Sequence, residues 1–194
     1  MAESFDMSGA LRFDLARGRV TVAGIASRVV LPVEALSLLC REVEEPQLSS
    51  FGHGVGNEVG RRVAERLAGG MSNVSTEQMV EHLGGELALM GLGSLSVEFW
   101  GRALVLVVVD SPLVFGDGGQ PSDGGDRLLS SILEAALVRA TSRQLSVVPL
   151  TRSDNTVRFV VCNQAAKTHV MEWLNEGCHY GEALARLNDA GARA

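Results

Sequence analysis

The chain has 194 residues, 46% of them hydrophobic and 21% charged, and carries a net charge of −6 from 23 acidic and 17 basic residues. That length and composition close one globular core and exclude a wholly disordered or collagen-like chain. No block of like charge stands out, and the basic residues are scattered arginines apart from Lys167, which argues against non-specific binding to nucleic acid or to an anionic membrane.

The first nine residues hold Glu3 and Asp6 and no apolar run, so they do not read as a secretory signal. The longest purely apolar run, 103–109, falls well short of the ~20 residues a membrane-spanning helix needs. A soluble, cytoplasmic protein without membrane insertion is expected. Cys40, Cys162 and Cys178 are odd in number and far apart, so neither a disulfide framework nor a zinc knuckle is indicated.

In chain order, 11–14 and 19–23 flank the turn Ala16-Arg17-Gly18, and a further extended run, 28–31, stops at Pro32. Residues 33–45 carry Ala35, Leu36, Leu39 and Val43 at helical spacing and end before Pro46. The next predicted helix, 51–68, has Phe51, Val55, Val59, Val63 and Leu67 on one ridge and Gly52, Gly56, Gly60 and Ala64 on the ridge beside it. Each interior glycine costs a helix ~1 kcal/mol relative to alanine. Their alignment therefore predicts the close approach of another backbone, either a second helix of the same chain or the same helix of a second subunit.

Ser75-Thr76-Glu77-Gln78 forms a capping box opening a helix with Met79, Val80, Leu83, Leu87 and Met90, which stops at Gly91 and Gly93. Leu95, Val97 and Phe99 alternate with Ser96, Glu98 and Trp100 in a half-buried strand. After Gly101-Arg102 the run 103–109 is apolar on both sides, as a central strand would be. Residues 110–125 have no periodicity and form either a lid over a site or a plain surface insertion. Asp126 is predicted to cap a helix to about 143 with Leu129, Ile132, Leu133, Ala136, Leu137 and Ala140 inward. Strands 144–150 and 156–162 follow, joined by Ser153-Asp154-Asn155, and then helix from 164 to about 187, divided at Gly177. Short turns make these strands antiparallel, so the expected fold is α+β: a twisted antiparallel sheet with helices packed on it.

The residues that carry chemistry are few. Gly54-Val55-Gly56 with Gly60 imitates a dinucleotide loop, but the preceding 42–50 is acidic and broken by Pro46 rather than a strand. No GxxxxGK[ST] loop or GxSxG elbow occurs. His53, His82, His169 and His179 are never paired at ligand spacing. His82 is placed on the polar side of its helix, and convergence of His169, Cys178 and His179 with Cys162 fits no ligand pattern. Cys178 and His179 are adjacent, which prevents them from serving readily as nucleophile and base. No catalytic residue, metal site or cofactor is predicted; an apolar interior without reactive groups reads as a binding module.

Three segments carry a family resemblance: Phe51-Gly52-His53-Gly54-Val55-Gly56-Asn57-Glu58-Val59-Gly60, the Gly91-Leu92-Gly93 stop entering the Phe99-Trp100 hairpin, and 128–162. Through them, 11–162 resembles the four-vinyl reductase (4-vinyl reductase) domain, the prokaryotic relative of the small TRAPP tethering subunits (the ligand-binding fold of NO signalling and Golgi transport). The stretch from Arg12-Phe13-Asp14 to Glu45 looks like the cap of the sensory half of aromatic-responsive transcription activators. The resemblance implies a homodimer or pseudo-dimer with a hydrophobic pocket for a small apolar molecule or acyl chain. It also implies, in many members, structural zinc held around the last helix and hairpin. Here the positions near Pro149, Arg152 and Val157 offer no ligand, and Met90 and Gly91 stand where tethering subunits carry an acylated cysteine.

The resulting expectation is a non-enzymatic, dimeric sensor or regulatory adaptor that binds an apolar, aromatic or acyl ligand. Its pocket is assigned to Phe99, Trp100, Val105, Val107, Ile132, Leu133 and Leu137, with Phe115 on the gating loop, and its dimer interface to Phe51, Gly52, Val55, Gly56, Val59, Gly60 and Val63. The alternative is a protein–protein scaffold or tethering subunit with a collapsed pocket. An enzyme acting on a porphyrin or vinyl substrate has no supporting residues. The chain divides into a strand-rich cap with a short helix (1–46), a core (47–162) and a helical extension (163–194).

Overall fold

The computed structural model describes residues 11–22, 25–67, 74–114 and 123–191. Three short strands, β1 (Leu11–Asp14), β2 (Arg19–Val22) and β3 (Ile25–Arg28), form an antiparallel sheet in that order. Three helices follow, α1 (Val33–Glu42), α2 (Glu45–Leu67) and α3 (Thr76–Leu89). Then come the hairpin β4 (Ser94–Trp100) and β5 (Ala103–Val109), helix α4 (Asp123–Thr141), the hairpin β6 (Ser146–Ser153) and β7 (Thr156–Cys162), and helices α5 (Gln164–Asn175) and α6 (Tyr180–Gly191). The second sheet is antiparallel throughout, in the order β4-β5-β7-β6. The fold is α+β, as expected.

β5 runs inside this sheet with β4 on one side and β7 on the other, and its unbroken apolar sequence follows from that position. Successive side chains of a strand point to opposite faces. Leu106 and Val108, with Val157 and Phe159 of β7, meet a layer built from α1, α2, α3 and α4. Ala103, Val105 and Val107, with Val160 and Cys162, meet Val170 of α5 and Leu184 of α6. The C-terminal helices are therefore the third layer of the body, covering the second face of the sheet.

The glycine ridge of α2 has its partner in α4 of the same chain. A β-carbon at Gly52 would stand 2.7 Å from Cβ of Ser131, and one at Gly60 would stand 2.7 Å from Cβ of Arg139. Residue numbers rise together on both helices, so α2 and α4 run parallel, each offering a ridge of four-residue spacing to the other. The same helix absorbs the Gly54-Val55-Gly56 motif; its amides are spent on helical hydrogen bonds, and no phosphate cradle forms.

The Ser75–Gln78 capping box is present as predicted, each side chain bonding the other's backbone. Several boundaries differ, three of them with a clear physical cause. α2 begins at Glu45, six residues earlier than predicted, because Pro46 falls in its first turn, where a missing N–H goes unneeded. α4 begins at Asp123, so Asp126 lies inside the helix instead of capping it. β3 occupies Ile25–Arg28, and Val29, Val30 and Leu31 follow it as irregular chain.

Candidate functional site

The predicted pocket residues do not converge on one chamber, because the pleat of the sheet divides them. Ile132, Leu133 and Leu137 are buried on the α1–α4 side, while Val105 and Val107 are buried against α5 and α6. Trp100 belongs to the second group. Its ring centroid lies 5.7 Å from that of Tyr180, and its indole N–H donates to Glu98 at 2.9 Å. That donated hydrogen bond, with the Arg158 guanidinium beside it, holds the Glu98 carboxyl below the usual carboxylate range. Phe99 points to the α1–α4 side through its register with Leu104, but at the end of the hairpin, where it is 57% exposed. Phe115 lies outside the described residues. The single eight-residue pocket is thus corrected to two separate groups with the sheet as the wall between them.

The assigned dimer interface is corrected in the same way. Gly52, Gly56, Val59, Gly60 and Val63 are buried within the protomer, the glycines against α4. Phe51 is exposed and Val55 half-buried.

One polar cluster stands at the edge of the α1–α4 layer. Glu86, on α3 beside Leu83 and Leu87, is fully buried. It is ion-paired with Arg62 of α2 at 3.2 Å and with Arg66 one turn further along. Burial of a carboxylate is tolerated only with such compensation. His82, one turn before Glu86, is half-buried with its Nδ1 closed off from solvent. A signal for Glu86 existed in the sequence: it follows Leu83 by three residues and therefore falls on the buried side of an amphipathic helix. Reading α3 from its apolar residues alone passed over it.

A second buried charge pair ties α4 to the last hairpin, Asp126 bonding to the Arg152 guanidinium of β6. This is the region where the family resemblance would place zinc, and the residues do not fit a metal. Arg152 is itself a cation engaged by Asp126, Pro149 has no donor, and Val157 is fully buried in the apolar core. Among the described residues no three histidine, cysteine or acidic side chains are grouped as a metal would need. Cys178 Sγ sits 3.6 Å from the carbonyl of His179 and has no imidazole as its base.

On the other side of the sheet a cleft of about 230 Å³ lies between the β4–β5 turn, the end of β7 and α6, lined by Ala103, Cys162, Leu187 and Asn188 among others. Asn188 spends its amide on the hairpin, accepting from the Arg102 N–H and donating to the Trp100 carbonyl, both at 2.9 Å. The cleft is thus a joint between α6 and the hairpin whose Asn188 amide is already engaged at both ends. Burial pushes the Cys162 thiol in its wall up to about 11, which keeps it a neutral apolar group.

No helix among the described residues is long and apolar enough to cross a membrane. No family model matches the chain, and no curated protein does. Among solved structures, the fold is similar to the crystal structure of the phenol-responsive sensory domain of the transcription activator PoxR with phenol, at a TM-score of 0.58 and 17% sequence identity. The match covers 94% of this chain and 93% of that one, so it takes in most of the C-terminal helices, which the sequence resemblance had left outside. At this identity the likeness is one of fold: the chain shares the α+β architecture of that structure.

Proposed function

We propose that this chain is a non-enzymatic sensory or regulatory module of the four-vinyl reductase type that acts in the cytoplasm as a dimer and binds a small apolar, aromatic or acyl-bearing molecule. The observation that carries the reading is the end-to-end correspondence of fold with a domain crystallised with phenol. The α1–α4 side of the main sheet is the favoured chamber. It joins Ile132, Leu133 and Leu137 to the apolar residues of α2 and α3, and it carries a few polar groups (His82, Glu86) at its margin, the composition that small-molecule sites share.

Thermal-shift and native mass-spectrometric measurement of the full chain against phenols, other single-ring aromatics and fatty acids tests this. A saturable rise in Tm with a matching adduct mass is expected for at least one class, weakened by Leu133→Phe, which fills the chamber, and unaffected by Ala103→Ser in the cleft beyond the sheet. Absence of any shift or adduct across the panel would overturn the ligand reading.

One observation favours the scaffold as a second reading. Ile132, Leu133, Leu137, Leu106 and Phe159 are all almost fully buried, as in an interior that its own side chains fill. A chain of that kind would bind a protein partner while ignoring the small-molecule panel.

A further inference from the structure

We propose that the cleft between the β4–β5 turn, the end of β7 and α6 binds a small organic acid, its carboxylate held by the polar residues Arg102, Asn163 and Asn188 and its short hydrocarbon tail by Ala103, Ala166 and Leu187. The hydrogen bonds around the cleft set the sign of what it can take. Asn188 accepts from the Arg102 N–H through its amide oxygen and gives an amide N–H to the Trp100 carbonyl, so it has a second N–H left to offer. Asn163 uses its amide oxygen in the same way, on the Ala166 N–H at 2.8 Å in the first turn of α5. Each amide oxygen therefore already has a backbone donor, and the amide nitrogens carry the capacity that remains. Arginine adds five donors and no acceptor, and none of the described residues lining the cleft is acidic. Such a rim matches an anion and repels a cation.

Size and lining narrow the class further. The volume of about 230 Å³ lies below the ~300–1,000 Å³ of sites for drug-sized ligands and equals the liquid volume of roughly eight waters at ~30 Å³ each. That excludes a nucleotide, a porphyrin or a long acyl chain and admits a short carboxylic acid. The rest of the lining is apolar, including Cys162, whose thiol burial keeps neutral. Glu134, the acid whose field reaches Cys162, is paired with Lys167 at 3.6 Å, which offsets its charge behind that wall. An acid seated here would touch the hairpin, the start of α5 and the last turns of α6 at once, and so would fasten α6 to the sheet. The sheet separates this site from the α1–α4 chamber, and the proposal does not depend on what that chamber holds.

Isovalerate, a branched short-chain carboxylate, tests this in calorimetric and ligand-observed NMR titrations of the full chain, with isovaleramide as its uncharged counterpart and inorganic phosphate as an anion without a tail. Isovalerate should bind saturably, and the amide and phosphate about tenfold more weakly or less. Arg102→Gln removes the cation but keeps the backbone N–H that Asn188 accepts, and should weaken isovalerate about tenfold or more. Arg102→Lys keeps the charge and should recover most of the affinity. Ala166→Leu fills the cleft from α5 and should abolish binding; if circular dichroism shows that variant unfolded, the two Arg102 variants decide. Leu133→Phe, beyond the sheet, should leave isovalerate binding unchanged, so failure of this site and failure of the chamber are read separately. Amide hydrogen exchange in 180–191 should slow when isovalerate is bound. No saturable binding, amide binding equal to that of the acid, parental affinity in Arg102→Gln, or loss of isovalerate binding in Leu133→Phe would each overturn the proposal.

Discussion

Gly56 of α2 lies so close to Ala135 of α4 that a β-carbon added to the glycine would sit 2.8 Å from the alanine's own. Helix propensity alone says that alanine at position 56 should stabilise by ~1 kcal/mol. The neighbouring helix says the opposite, because overfilling a packed seam costs about 1–3 kcal/mol and this one includes the backbone of α4. Gly56→Ala is expected to lower unfolding stability by about 2 kcal/mol in urea titration. Gly54→Ala, on the same helix with nothing within 4 Å, should leave stability unchanged or raise it by up to ~1 kcal/mol. Equal effects at the two positions would contradict the seam.

Glu86 should behave unlike the other acids of its neighbourhood. Glu86→Ala removes the partner of Arg62 and Arg66 inside the protein and is expected to cost about 3 kcal/mol. Glu65→Ala breaks an exposed pair with Arg61 and should leave stability nearly unchanged. Guanidinium melts of the two variants side by side check the contrast.

Asp126 and Arg152 form a coupled pair between α4 and β6. Asp126→Leu or Arg152→Leu alone removes one half of a charge pair in a mostly buried place and should cost about 3 kcal/mol, whereas the double Leu variant should lose less than the sum by at least ~1 kcal/mol. Additive losses in a denaturation cycle would mean that the two side chains do not act on each other.

Cys162 gives a pH prediction whose sign follows from its burial. Its thiol ionises near 9.0 when exposed and at about 11 in the folded chain, chiefly through desolvation. The folded state therefore holds the proton more tightly, and the stability so contributed is complete below pH 9 and lost as pH rises through about 11. At neutral pH the native chain should leave Cys162 unlabelled by iodoacetamide, with labelling appearing on unfolding. Rapid native labelling at pH 7, read by peptide mass, would contradict the buried placement.

Much of the architecture was legible from local patterns. The Ser75–Gln78 box, the alternation through Leu95 and Val97 and the apolar run of β5 each depend on neighbours a few residues away, and the structure bears out all three, though Phe99 at the end of β4 is exposed. Pro46 misled because a proline both ends helices and starts them, and only the packing of Leu48 into the core decides between the two. The glycine ridge correctly announced a close backbone but carried no label for whose backbone it was. The pocket was illegible for a related reason. Val105 and Ile132 are equally apolar, and a composition-based grouping ignores which side of a pleat each occupies. Glu86 and Asp126 were missed as buried charges because their arginine partners come from α2 and β6, not from their own helices.

The shared sheet has a mechanical consequence. Leu106 and Val105 are consecutive residues of one strand, yet one is anchored among the first four helices and the other among the last two. A strand cannot shift for one row of side chains and stay still for the next, so whatever wedges open the first compartment must lever the C-terminal helices as well. Anything that displaces β5 on one face of the sheet therefore disturbs the packing on the other.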